Sequence, residues 1–140
     1  MKTLKYLCIA AMTIALLGCQ TVKPEKSAER VKPEPVQLMN NELNALFVNK
    51  TVKSFNRKTK VISLTYYHPD GRAIQKRDQQ ERTGFWKVVN DEICLSMEDK
   101  KYSCRPVYRV GKKYYKYKVK KSGKKEKLIR YRSFVEGNAL

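Results

Sequence analysis

The chain has 140 residues, and its 31 lysines and arginines against 13 acids give a formal charge of +18. Such a balance directs a protein toward anionic surfaces or polymers without deciding its fold, and the length suits one domain. His68 is the only histidine and no second cysteine pair accompanies Cys94 and Cys104 to complete four zinc ligands, and there is no glycine-rich phosphate loop, so neither metal nor cofactor is expected.

Lys2 and Lys5 are followed by an apolar stretch over residues 6–17 and then by Gly18 and Cys19. This is the order of a secretory signal. The apolar stretch is shorter than the roughly 20 residues needed to span a bilayer, and polar Gln20, Thr21 and Lys23 follow at once. Leu16, Leu17, Gly18 and Cys19 resemble the lipobox of bacterial lipoproteins. That resemblance covers only the leader. It implies a signal peptide of residues 1–18, diacylation of the Cys19 thiol with fatty acids such as palmitate, and acylation of the new amino terminus. Gln20, where an aspartate would otherwise stand, resembles the outer-membrane sorting pattern, which implies a lipid-anchored protein facing the periplasm. The alternative is an ordinary secretory leader with an incidental cysteine. Several acyl chains, at about 0.8 kcal/mol per buried methylene, make a stable anchor. Cleavage removes Lys2 and Lys5 and no acids, so the charge falls from +18 to +16.

Residues 19–37 read as the lipidated cysteine and an extended tether, with Lys23-Pro24 and Lys32-Pro33-Glu34-Pro35 and almost no large apolar groups. Such a segment reaches about 50 Å at about 3 Å per residue. The globular domain then occupies residues 38–140. Leu38, Met39, Leu43, Leu46 and Phe47 recur at helical spacing, and Asn40 or Asn41 is placed to cap a short helix ending near Val48. That helix is expected to act as a plug or lid.

After Asn49 the pattern changes to short β-type runs: 51–55, 61–67, 73–76, 83–89, 92–97, 101–110, 113–119 and 127–134. His68-Pro69-Asp70-Gly71, Asn90-Asp91, Glu98-Asp99-Lys100, Gly111-Lys112 and Ser122-Gly123 separate them, and connections this short join antiparallel neighbours. The fold class expected is mainly β: an antiparallel meander of about eight strands with one short N-terminal helix, forming a closed or partly open lipocalin-like barrel.

With Cys8 in the leader and Cys19 used for lipid, Cys94 and Cys104 remain, and export favours their disulfide over two free buried thiols. Pairing them puts Ile93, Leu95 and Met97 on one face with Lys101, Ser103 and Arg105. The mismatch predicts a bulge, or a twist out of the wall, in 101–110, where Pro106 cannot donate to a ladder.

Tyr66-Tyr67-His68-Pro69-Asp70-Gly71, Gly84-Phe85-Trp86-Lys87-Val88, Ile93-Cys94-Leu95 and Cys104 are similar to a pattern in small exported bacterial proteins of uncharacterised function. The similarity covers roughly residues 46–138 and implies a small β-domain with no known reaction.

Lys112, Lys113, Lys116, Lys118, Lys120, Lys121, Lys124, Lys125 and Lys127 face one acid, Glu126, and Tyr114, Tyr115, Tyr117 and Tyr131 interleave with them. Alternation in 113–119 sends Lys116 and Lys118 to one face and Tyr115, Tyr117 and Val119 to the other, which predicts an outer lysine stripe over packed tyrosines. Export argues against nucleic acid as its partner. Anionic lipid, lipopolysaccharide and acidic polysaccharide fit better, beside the plainer reading of a solvated face that protects sheet edges. Trp86 reads as core, and with Tyr66 and Tyr115 it is a candidate cavity lining for a lipocalin-like carrier of a small apolar ligand. An accessory subunit of an envelope assembly is the third class. His68 and Asp70 sit in a turn where both are common for local hydrogen bonding, and no nucleophile, base and orienting group can be assembled, so an enzyme is not expected.

Overall fold

The computed structural model describes residues 31–140. The expected leader, Cys19 and most of the expected tether lie outside them. A short strand β1 (Pro35–Gln37) and a helix α1 (Asn40–Phe47) precede eight long strands: β2 (Lys50–Asn56), β3 (Ile62–Tyr67), β4 (Arg72–Arg77), β5 (Gln80–Val89), β6 (Glu92–Met97), β7 (Ser103–Val110), β8 (Lys113–Val119) and β9 (Lys125–Glu136). Each of these eight pairs antiparallel with the next, and β9 returns to β2, so the sheet closes into a barrel. Closure removes the two long free edges that an open sheet of these eight strands would have. The tight turns use left-handed residues, Asp78 and Gln79 between β4 and β5 and Asn90 and Asp91 between β5 and β6, as two-residue hairpin loops require.

β1 falls in what reads as tether. It exists because β6 covers only the first half of β7, with Glu92 opposite Pro106 as the last pair, and β1 takes over the vacated edge with Gln37 opposite Tyr108 and Pro35 opposite Val110. Three residues, one of them a proline, with no periodicity carry no strand signal of their own.

The barrel changes character along its axis. At the end where β2 starts and β9 finishes, α1 inserts Leu43 and Phe47, both fully buried, among Val52, Tyr67, Trp86, Ile93, Val107 and Tyr131. The Phe47 ring stands edge-on to Tyr67 at 5.0 Å, Tyr131 at 5.1 Å and Phe134 at 5.6 Å. The helix is therefore a plug, as its spacing predicts. Its cap differs from expectation: Met39 holds the N-cap position and its amide donates to Glu42 at 2.9 Å. Asn40 instead exchanges hydrogen bonds with Asp91, its amide donating to Asp91 Oδ1 at 2.7 Å and its own Oδ1 accepting from the Asp91 amide at 2.8 Å. A turn distant in sequence supplies the cap, and the plug is tied to the β5–β6 hairpin.

Cys94 and Cys104 are bonded across β6 and β7. The bulge expected in β7 is absent: Ile93 opposes Arg105 and Leu95 opposes Ser103 in unbroken register. The register shifts fall instead between Lys53 and Ser54 on the β2–β9 ladder and between Lys116 and Tyr117 on the β8–β9 ladder. Arg105 thus shares the inward face with Ile93 and Leu95, and the polar residues of β7 are accommodated because the barrel interior is itself polar at that end. Gly84, opposite Met97, allows β5 and β6 to approach closely there, since a Cβ on it would run into the Ser96 carbonyl and come within 2.9 Å of Met97 Cα.

Candidate functional site

The end of the barrel away from α1 is where β2, β4, β6 and β8 finish. The β2–β3 turn and the β8–β9 turn flank a surface depression of about 760 Å³ lined by Arg57, Lys58, Lys60, Arg105, Lys118, Lys120, Glu126, Lys127 and Leu128. Seven basic side chains meet one carboxylate, and that carboxylate is engaged: Lys120 Nζ lies 2.6 Å from Glu126 Oε1. This hydrogen bond, followed by the charges of Lys120, Lys124 and Lys118, holds the Glu126 carboxyl below the usual glutamate range. The uncompensated charge of the depression therefore projects into solvent.

Beneath it the lumen continues as a smaller cavity of about 110 Å³, whose wall includes Ser54, Asn56, Ser63, Thr65, Tyr67, Gln75, Arg77, Lys116 and Tyr131. Gln75 donates to Thr65 Oγ1 at 3.0 Å and accepts from Arg82 at 2.5 Å. Arg82 lies 3.8 Å from Glu98. Lys116, opposite buried Val107 and beside Ile129, points inward. By surface area it is only part-buried because the lumen opens to solvent, yet protein surrounds its ammonium, and that burial, with repulsion from Arg105, pushes its pKa down to about 8. Burial raises the Tyr67 and Tyr131 hydroxyls above the ordinary tyrosine value.

The lysines of the expected outer stripe are thus divided three ways. Lys116 and Lys118 face the lumen and its mouth, whereas Tyr115 and Tyr117 face outward, the reverse of the expected arrangement. Tyr115 lies under Lys127 Nζ at 4.6 Å, and Tyr117 is buried against Tyr108 at 4.7 Å. The inward aromatic of this strand is Tyr114, 5.6 Å from Phe134. Lys120, Lys121, Lys124, Lys125 and Lys127 cluster at the cationic end, while Lys112 and Lys113 sit at the β7–β8 turn, beside the plug. Seven strand steps separate Lys113 from Lys120, about 23 Å at about 3.3 Å per residue.

The candidate cavity residues do not come together. Trp86 belongs to the plugged core, its Nε1 donating to the His68 carbonyl at 2.8 Å and its ring edge-on to Tyr67 at 5.3 Å. Tyr66 lies on the outer face under the C-terminal residues, its hydroxyl donating to Asn49 Oδ1 at 2.9 Å. Tyr115 is also outside. At the β3–β4 turn the Asp70 carboxylate accepts from the Arg72 amide at 2.9 Å and from Arg72 Nε at 2.7 Å, with His68 Nδ1 at 2.6 Å. These bonds, the Arg72 amide foremost, hold the carboxyl below its ordinary value and within its own turn.

Sequence reasoning missed Arg57, Lys58, Lys60, Arg77, Arg82 and Arg105 as parts of the charged end. Only Arg105 left a signal, the polar residues opposite Ile93 and Leu95 that predicted a bulge. Among the described residues no helix is long and apolar enough to cross a membrane, and no group of three or more histidine, cysteine, aspartate or glutamate side chains is arranged to hold a metal. No protein family model, curated protein or solved structure matches the chain.

Proposed function

We propose that the protein is an outer-membrane lipoprotein, anchored through acylated Cys19 and facing the periplasm, whose barrel is a non-enzymatic binding module for anionic envelope components. Lipid phosphates, lipopolysaccharide and acidic polysaccharide are the partners its chemistry suits. One observation carries this reading: seven basic side chains from three separate hairpins converge on one barrel end around a single, already paired carboxylate. A merely soluble surface would intersperse both signs. The other end is filled by Phe47 and Leu43, so the apolar-ligand carrier draws no support from Trp86.

The test uses unacylated Cys19→Ser protein, so that lipid chains do not carry the adsorption, sedimented with phosphatidylglycerol-containing vesicles at low salt. Each basic residue near an anionic surface contributes about 1 kcal/mol. The variant Lys58→Glu, Lys118→Glu, Lys127→Glu should therefore lose more than about a hundredfold in partitioning, and Lys112→Glu, Lys113→Glu far less. Free-energy losses in proportion to the number of charges reversed, three against two, would show that bulk charge, not this end, governs adsorption. Mass spectrometry of residue 19 checks the anchor directly.

A further inference from the structure

The depression at the mouth leaves unexplained the groups beneath it. Lys116 belongs to no ion pair among the described residues, and no carboxylate lines the lumen it enters. The charge that acts on it most is Arg105, of the same sign. On the opposite strand, the hydroxyl of Tyr131, a residue only 5% exposed, lines the same lumen and has no hydrogen-bond partner among the described residues, and the same holds for Arg105 Nε at the mouth. Buried charges in folded proteins are paired, and buried hydroxyls are hydrogen-bonded. Two buried donors without a partner, the Tyr131 hydroxyl and Arg105 Nε, and the Lys116 ammonium, which makes no ion pair, thus come from the neighbouring strands β9, β7 and β8, and all can donate.

Donors gathered without an acceptor are complementary to an acceptor that carries negative charge. Size narrows the choice. At about 110 Å³ the cavity suits a group of a few heavy atoms, such as a small oxyanion, rather than a whole sugar or a folded acyl chain. A tetrahedral or planar oxyanion can also accept from several directions, as groups on three strands require.

We propose that the lumen is a binding site for one small oxyanionic group, a phosphate or carboxylate, held by the Lys116 ammonium and the Tyr131 hydroxyl with Arg105 at its mouth. The group arrives either as a free ion or as the head of a lipid whose chains remain outside. This site shares Arg105 with the rim but none of the rim's other cations: the rim supplies long-range attraction, the lumen short-range recognition.

The experiment follows the Lys116 Cε signal of full-length, ¹³C-lysine-labelled protein by NMR, with inorganic phosphate in one arm and short-chain dihexanoyl phosphatidic acid in the other, each against chloride at matched ionic strength. A saturable shift with phosphate supports a free-ion site. A shift with the phosphatidic acid alone supports a headgroup site. In thermal unfolding, phosphate should raise the midpoint of the wild-type protein and leave that of Lys116→Met unmoved, with Lys116→Gln as the second variant should the methionine disturb the fold. Tyr131→Phe should weaken binding by about tenfold or more, the effect of one hydrogen bond to a charged acceptor. The rim variant Lys58→Glu, Lys60→Glu, which leaves Lys118 and Arg105 at the mouth in place, should retain the response while losing vesicle adsorption, so the two readings fail separately. The lumen site is overturned if neither probe moves the Lys116 signal by about 50 mM, beyond the millimolar range of a weak specific site, or if both Lys116 variants keep the phosphate-induced rise.

Discussion

Replacing Lys116 with methionine should make the protein more stable, and by an amount that depends on pH. Burial, with repulsion from Arg105, lowers the lysine to about 8, whereas in the unfolded chain it titrates near 10.4. The unfolded state therefore binds more protons than the native state between those values, so native stability rises with pH across that window and the lysine is a net burden below it. The full shift corresponds to about 3 kcal/mol at pH 7, falling to about 1.5 kcal/mol at pH 9.5. Water entering the open lumen screens the charge, so about 1–2 kcal/mol at pH 7 is the better expectation. Urea unfolding of wild type and Lys116→Met, in buffer free of phosphate and carboxylates, measures the gap at pH 7 and again at pH 9.5. The upper limit is set by Tyr67 and Tyr131: burial raises their native values, so the stability they retain below pH 10 is lost as pH rises beyond it. A variant less stable than wild type at pH 7, or a gap that does not narrow by pH 9.5, would refute the reasoning.

Phe47→Ala removes a fully buried ring with three edge-on aromatic neighbours and should cost about 3–5 kcal/mol, seen as a lower urea midpoint and quenched or shifted Trp86 emission. Gly84→Ala places a methyl against the backbone of Ser96 and Met97, which cannot rotate away; about 1–3 kcal/mol should be lost, with amide protection falling first along β5 and β6. Replacing Cys94 and Cys104 together by alanine opens a loop of sequence separation 10. On the chain-entropy estimate, calorimetry should then show a loss of about 2–3 kcal/mol without altered vesicle adsorption.

The eight long strands were legible in the residues because each alternates over a short run and ends in turn chemistry, as at His68-Pro69-Asp70-Gly71 and Asn90-Asp91, and because turns that short leave antiparallel pairing as the only route. The helical spacing of Leu43 and Phe47 and the hairpin spacing of Cys94 and Cys104 are equally local. What the chain could not show locally is which face of a strand looks inward once the sheet closes. Aromatics are ordinarily assigned to the core, and on β8 that rule holds for Tyr114 and fails for Tyr115 and Tyr117. Lys116 is carried into the lumen because the wall closes with it opposite Val107 and Ile129, and the unbroken alternation of β8 puts Lys118 on the same face at the mouth.

Closure also decided the site. Lys58 and Lys118 are distant in sequence and adjacent only because β9 returns to β2, which brings the β2–β3 and β8–β9 turns together. Asp91 caps α1, and β1 pairs with β7, for the same reason: each depends on a neighbour supplied by the tertiary arrangement. Local periodicity determines the elements. Only the ring of strands determines that one end of the barrel is sealed by aromatics and the other is lined with cations.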